Sequence, residues 1–218
     1  MSEIDTSLTK NIKKTLLTDT NNEKWDNLQV TDKDYIMYSP RPVGYNTTAE
    51  HRFLMSNLLI GYNCESVLDI GSGRSDLYGL IVDVFGMPAN YHAIDHNPVM
   101  TDIATRKWNL DAVQTGAYET AELPNAEWVI ASGIFTQKRC ETEDDDLQKV
   151  FNDIELLYNL STKVVSFNLL NPINNTQHEG FFYVHPGLVL DMLIEKYQNV
   201  VVRNNYSKDV YTVLIYKF

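Results

Sequence analysis

Val67-Leu68-Asp69-Ile70-Gly71-Ser72-Gly73-Arg74-Ser75-Asp76-Leu77 is the stretch whose reading decides the fold. Ser66–Ile70 is a short apolar run that stops at a glycine, the pattern of a buried strand. A Gly-x-Gly turn follows, and Asp76–Phe85 then reads as a helix. Glycines in such a turn let the backbone take positive φ and come close to a ligand. Open α/β sheets bind ligands at the carboxyl ends of their strands, near the point where strand order reverses. Asp69 stands at that edge, directly before the glycines. A carboxylate there is unfavourable beside a pyrophosphate and suits a ligand with an ammonium group. The same turn also serves as a plain tight strand-to-helix connection.

Downstream, Tyr91–Ile94 reads as a second strand, ended by Asp95. This acid lies about 20 residues beyond the glycines, where Rossmann-type sites hold both hydroxyls of a ribose. Its other reading is an Asx turn or cap leading into the next helix, Pro98–Trp108, with proline in the first turn. Ala112–Thr115, Trp128–Ala131 and Lys163–Leu170 read as further strands. Asp144–Leu160 is an amphipathic helix with Leu147, Val150, Phe151, Ile154 and Leu157 on its apolar face, and Pro186–Tyr197 is another helix. Asn199–Val202 and Val210–Tyr216 are β-rich and separated by turn-formers, a closing hairpin. Upstream, Thr47–Gly61 has helical spacing, with Thr47 or Thr48 as N-cap. Strands alternating with helices imply a parallel sheet covered on both faces. The expected fold is α/β: a Rossmann-like three-layer sandwich with a mostly parallel seven-stranded sheet and an antiparallel C-terminal strand. Residues 47–218 form this domain. Residues 1–46 are polar, with one weakly periodic helix (Ile4, Leu8, Ile12, Leu16), and read as an N-terminal extension: a lid, or an arm for an oligomer or partner.

Composition narrows the function. The chain has 218 residues, 44% hydrophobic and 22% charged, which suits one globular domain with a full core. No apolar run approaches the roughly 18–20 residues that span a bilayer, and no apolar signal-peptide core is present. Cys64 and Cys140 form no CxxC pair, so neither a disulfide framework nor a metal site is expected, and a cytoplasmic location fits. A net charge of −11 repels phosphate backbones and disfavours nucleic acid as a partner. The acidic run Glu141–Asp146 reads as a solvated loop or helix start.

From about Thr47 to Phe218 the chain resembles the class I S-adenosylmethionine (SAM)-dependent methyltransferase family. VLDIGSGRSDL looks like that family's first motif and AIDHNPVM like its second. QTGAYETAELP is similar to the loop after the third strand, and EWVIASGIF to the fourth motif. A closer resemblance is to small methyltransferase-like proteins of bacteria and their phages, through Arg52-Phe53, Ser132-Gly133-Ile134-Phe135, Phe167-Asn168, Tyr183-Val184-His185-Pro186 and the closing VYTVLIYKF. The resemblance implies SAM as cofactor and S-adenosylhomocysteine as product. By position, Asp69, Gly71, Ser72 and Gly73 would surround the methionine amino group, and Asp95 would hold the ribose, with His96 near the adenine. Ala117 and Tyr118 would border the adenine, and Ser132 and Gly133 would face the methyl-donor end. The chain departs from the family twice. Ser75 stands where glycine is usual, and it is expected to be tolerated as a small helix cap. Ala117 replaces an adenine-side acid. The lost hydrogen bond is worth roughly 0.5–1.5 kcal/mol, so affinity would fall about tenfold.

Catalysis of methyl transfer needs alignment of the nucleophile and exclusion of water, and a base only where the acceptor must lose a proton. No Asp-Pro-Pro-Tyr or Asn-Pro-Pro-Tyr follows the fourth strand, which argues against exocyclic amines of DNA bases. Neither cysteine is placed for cytosine-C5 chemistry. His185 is the candidate base, with a locally hydrogen-bonded histidine as the alternative. Asn168 and Tyr183 could line the acceptor pocket, with packing as the weightier reading of each. Arg41 and Arg52 could meet the SAM carboxylate or an acidic acceptor, or form surface ion pairs. The expected activity is methyl transfer to a small-molecule, sugar or protein acceptor through oxygen or nitrogen. The alternative is a catalytically silent structural or binding subunit, for instance of a phage particle, assembling through the N-terminal arm.

Overall fold

The computed structural model describes residues 37, 44–45, 47–86, 90–173 and 177–217. Nearly all of the N-terminal extension lies outside the described residues, and so does Arg41. Seven strands form one sheet: β1 (Ser66–Ile70), β2 (Asn90–Asp95), β3 (Val113–Thr115), β4 (Ala126–Ala131), β5 (Ser161–Leu170), β6 (Val200–Arg203) and β7 (Val210–Tyr216), in the order β3-β2-β1-β4-β5-β7-β6. The helices are α1 (Thr48–Ser56), continued by a 3-10 turn (Asn57–Leu59), then α2 (Asp76–Phe85), α3 (Pro98–Trp108), α4 (Glu143–Leu160) and α5 (Pro186–Lys196). β1 through β5 pair in parallel, and β7 runs antiparallel to both β5 and β6. The Rossmann-like reading and the single reversed strand therefore both hold.

Strand side chains alternate between two cores, one on each face of the sheet. Leu68, Ile70, Val129, Phe167 and Val213 pack with Val150, Ile154 and Leu157 of α4 and Val189 and Leu193 of α5. Val67, Tyr91, Trp128 and Leu214 pack with Met55 of α1, Leu58 and Leu59 of the 3-10 turn, and Leu77, Tyr78 and Ile81 of α2. Helices thus cover both faces. β1 lies between β2 and β4, where the strand order reverses, so the ligand crevice of such a sheet opens at the carboxyl ends of these strands.

Several boundaries and local roles differ from the sequence reading. The first helix stops at Ser56 and tightens into a 3-10 turn, with Thr47 as the N-cap accepting from Glu50 N at 3.1 Å. β5 begins at Ser161 with no loop after α4, and Lys217 Nζ donates to the carbonyls of Tyr158 and Ser161 at this junction. The buried stripe of α4 is Asp146, Val150, Asp153, Ile154 and Leu157, while Leu147 and Phe151 are only half-buried. The acidic run is therefore not all solvated. Asp146 is 1% exposed and its Oδ1 accepts from Arg139 N and Cys140 N, at 2.7 and 3.0 Å. Ser75 occupies the N-cap of α2 without a side-chain cap bond, in a left-handed conformation at φ 52°. That conformation is the physical reason glycine suits the position, since a Cβ there costs roughly 1–2 kcal/mol.

Candidate functional site

The glycine turn is held from below. Gly71 N and Ser72 N both donate to Ile94 O, at 2.8 and 3.0 Å, Gly73 N donates to Asp95 Oδ2 at 2.8 Å, and Ser75 N donates to Ser72 O at 2.8 Å. These amides are spent on protein acceptors, so the turn offers them to no phosphate. Gly71 sits at φ 66°, and a Cβ on it would lie 2.1 Å from Ile134 Cγ2. The loop after β4 therefore presses directly on the turn, and only glycine fits. Behind the turn, Arg74 is 2% exposed and pairs with Asp76, which also accepts from Lys107 Nζ at 2.5 Å. Trp108 Nε1 donates to Arg74 O at 2.9 Å, which ties α3 to the start of α2.

Two carboxylates flank the turn. Asp69 is 2% exposed, and its Oδ2 accepts from the Tyr91 hydroxyl at 2.5 Å. Burial pushes its pKa up to about 7; the Tyr91 bond opposes this, and the charges of Asp95 and Asp76 add to it. A buried carboxyl of this kind is ready to ionise against an incoming cation. Asp95 is 8% exposed and uses both oxygens: Oδ2 on Gly73 N, and Oδ1 on Asn97 N at 2.8 Å. The Asx-turn reading of Asp95 is thus present in the structure. The helix cap itself is Asn97, whose Oδ1 accepts from Val99 N at 2.9 Å. An ionised carboxylate has about four acceptor positions, so one bond on each oxygen leaves room for two hydroxyls.

The remaining nominated residues lie around this edge. His96 is exposed, with Nδ1 3.7 Å from Asp95 Oδ1. Ala117 is exposed, and its carbonyl accepts from Thr120 N and Ala121 N in a turn. Tyr118 is anchored underneath by its hydroxyl, which donates to Asp153 Oδ2 at 2.9 Å. Asp153 also accepts from Arg139 Nη1 at 2.8 Å and Lys149 Nζ at 2.5 Å, so one buried acid of α4 fastens the loops after β3 and β4. Gly133 N donates to Asn168 Oδ1 at 2.7 Å, which fixes the end of β4 from β5. Ser132 is half-buried just after β4, and Tyr45 stacks on His51 with ring centroids 4.1 Å apart. A cavity of about 250 Å³ lined by Leu68, His92, Val113, Gln114, Leu123 and Pro124 contains none of the nominated residues.

No protein-family model and no curated protein matches the chain. Solved structures do. Human N-acetylserotonin methyltransferase in complex with SAM matches at 14% identity and a TM-score of 0.55, over 75% of this chain and 51% of that one. The chain thus spans about half the length of the human enzyme. A SAM-dependent methyltransferase from Aquifex aeolicus matches at 14% identity and a TM-score of 0.56, over 86% and 99% of the two chains. Magnesium protoporphyrin IX methyltransferase from Synechocystis PCC 6803 with bound SAM matches at 13% identity and a TM-score of 0.56, over the full length of both. The fold is that of SAM-dependent methyltransferases.

Within this methyltransferase fold, the residues nominated for catalysis have local work. His185 is exposed and is the N-cap of α5, with Nδ1 accepting from Gly187 N at 3.1 Å. Its lone pair is engaged there, which places the proton on Nε2 and leaves that nitrogen a donor. Tyr183 bridges to Leu170, and its hydroxyl accepts from His178 N at 3.3 Å. Arg52 pairs with Asp83 at 2.9 Å on the surface, which is the ion-pair reading and not the ligand one. Asp153, Asp146 and Tyr45 were missed by sequence reasoning. The two acids had a readable signal, since they fall on the buried stripe of α4. Tyr45 had none, because no local periodicity marks its stacking on His51. No helix among the described residues is long and apolar enough to cross a membrane.

Proposed function

We infer that this chain binds SAM at the β1–β2 edge and transfers its methyl group to an acceptor seated beyond β4 and β5. The observation that carries the reading is the pair of buried acids on either side of one glycine turn. Asp69 suits the methionine ammonium, and Asp95 retains acceptor capacity for the ribose hydroxyls. SAM would supply the electrophilic methyl and its own leaving group. The chain's residues would bind and orient it: Gly71, Ser72 and Gly73 by close backbone approach, His96, Ala117 and Tyr118 around the adenine, Ser132 and Gly133 at the methyl end. The solved neighbours that carry SAM lend support through their shared fold. The resemblance to small bacterial and phage methyltransferase-like proteins belongs to this same reading.

One observation favours a second reading, a silent structural copy. Ile134 lies against Gly71, so the expected site is partly filled by protein. Calorimetry separates the two. Micromolar binding of SAM and S-adenosylhomocysteine, weakened by Asp95→Ala in a protein that stays folded, supports the enzyme. No binding at millimolar ligand by the folded chain favours the structural copy, and unchanged affinity in Asp95→Ala defeats the ribose assignment.

A further inference from the structure

The loop after β3 enters the candidate site beside the acid read as the ribose partner. Gly116 N donates to Asp95 O at 3.0 Å, and two residues later Tyr118 stands in a turn closed by Thr120 N and Ala121 N on Ala117 O. The Tyr118 ring is half-buried, while Ala117 before it and Glu119 after it are exposed. Its hydroxyl closes a triangle of hydrogen bonds. It donates to Asp153 Oδ2 at 2.9 Å and accepts from Arg139 Nη1 at 3.2 Å, and Arg139 Nη1 also donates to Asp153 Oδ2 at 2.8 Å. Burial and then the Asp153 charge hold the phenol above its ordinary pKa, so it stays protonated and able to donate. Lys149 Nζ donates to Asp153 Oδ1 at 2.5 Å and to Glu119 Oε1 at 3.1 Å, and it sits over one face of the Tyr118 ring, 5.9 Å from the centroid.

The anchor is itself braced. Asp146 and Asp153 lie two helical turns apart on the buried stripe of α4. Asp146 Oδ1 accepts from Arg139 N at 2.7 Å, so α4 holds Arg139 by its backbone and by its guanidinium. The loop that carries Arg139 is fixed further by Lys138 N on Gly180 O at 2.9 Å and by Gly133 N on Asn168 Oδ1 at 2.7 Å. The charges around Tyr118 balance, with Asp153 and Glu119 set against Arg139 and Lys149. Packing alone asks for no such arrangement, since desolvation of a buried ion cluster offsets most of its attraction and an apolar cluster of similar volume is often as stable. What charge-assisted bonds add is direction. Here they fix the rotation and the position of one aromatic ring at the carboxyl edge of the sheet.

We propose that Asp153 is a positioning residue for the adenine end of the cofactor site: with Arg139 it fixes the Tyr118 ring before the ligand arrives. The proposal rests on the reading above that Tyr118 borders the adenine. An aromatic ring already ordered loses no freedom when a base settles against it, so the cost of ordering that side chain on binding is removed. This preorganisation offsets the hydrogen bond that Ala117 cannot give the adenine. Asp153 is 3% exposed, so it acts on the ligand only through Tyr118.

The test is binding to the full chain: S-adenosylhomocysteine by calorimetry, and adenosine, which lacks the amino-acid end, by ligand-detected NMR. Tyr118→Phe keeps the ring, removes its anchor and is the folding-safe variant; it should weaken both ligands about fivefold, the ordering of one side chain. Asp153→Asn should weaken both by a similar factor, and the double variant should be no worse than about fivefold, because both changes break one path. Where Asp153→Asn does not fold, Tyr118→Phe decides alone. Lys217→Met loosens the other end of α4, where Lys217 bonds the carbonyls of Tyr158 and Ser161, and should leave both affinities within about twofold. Three results each overturn this proposal alone, provided the parent binds S-adenosylhomocysteine: Tyr118→Phe without effect, double-variant losses that multiply to about 25-fold, or Lys217→Met weakening S-adenosylhomocysteine as much as Asp153→Asn does. A folded parent chain that binds neither ligand overturns both the proposal and the reading beneath it.

Discussion

Replacing Gly71 by alanine tests the geometry of the turn most sharply. The new Cβ would stand 2.1 Å from Ile134 Cγ2, on a backbone at φ 66°. The left-handed conformation costs a non-glycine residue about 1–2 kcal/mol. The overlap with Ile134 forces a shift of that loop, typically costing about 1–3 kcal/mol. Alanine recovers roughly 0.4–1 kcal/mol by restricting the unfolded chain. The net expectation is a loss of about 1–5 kcal/mol, of which only the overlap depends on Ile134. Ile134→Ala removes the obstructing methyl groups and, from a half-buried position, costs about 1–2 kcal/mol by itself. Urea unfolding of parent, both single variants and the double variant measures the coupling. The double variant should be more stable than the sum of the singles by about 1–3 kcal/mol. Additivity within about 0.5 kcal/mol would refute the claim that the loop after β4 presses on the glycine turn.

Further expectations concern the acids and the cap. Asp69 has a folded pKa raised to about 7, above the unfolded carboxylate value near 3.9. Its stabilising contribution is therefore full below about pH 4 and is lost as pH rises to about 7, so Asp69→Asn should flatten ligand-free stability across that window. SAM affinity measured by calorimetry should climb about tenfold per pH unit toward 7 if the ammonium needs the ionised acid; a flat profile would remove Asp69 from the site. Asp153→Asn should cost about 1.5–3 kcal/mol in chemical denaturation, because it weakens charge-assisted bonds to Arg139 and Lys149. His185→Ala should cost about 0.5–2 kcal/mol as a lost cap, while His185→Asn restores the cap. A methyl-transfer rate that collapses in the cap-restored Asn variant would instead make His185 a proton carrier.

The strand–turn–helix around Gly71, the acid closing β2 and the reversed final strand were all legible in the residues. Each depends on local periodicity, and a buried strand, a glycine turn and a hairpin carry their signals within a few positions. The proline starts of α3 and α5 were legible for the same reason. What each site residue touches was not. Asp69 met Tyr91 and Asp95 met Gly73 because parallel pairing sets β1 beside β2, residues 22 apart. Asn168 reached Gly133 across 35 residues. Such contacts follow from strand order, and no local pattern encodes them. The burial of Asp146 and Asp153 was half legible, since helical spacing put them on the apolar stripe, but only the packed sheet supplied the donors that make a buried acid tolerable. The sequence by itself determined the elements and the chemistry available at the sheet edge. The tertiary structure decided which acids are desolvated and which donors they hold, because desolvation and partnering arise only when distant segments pack together.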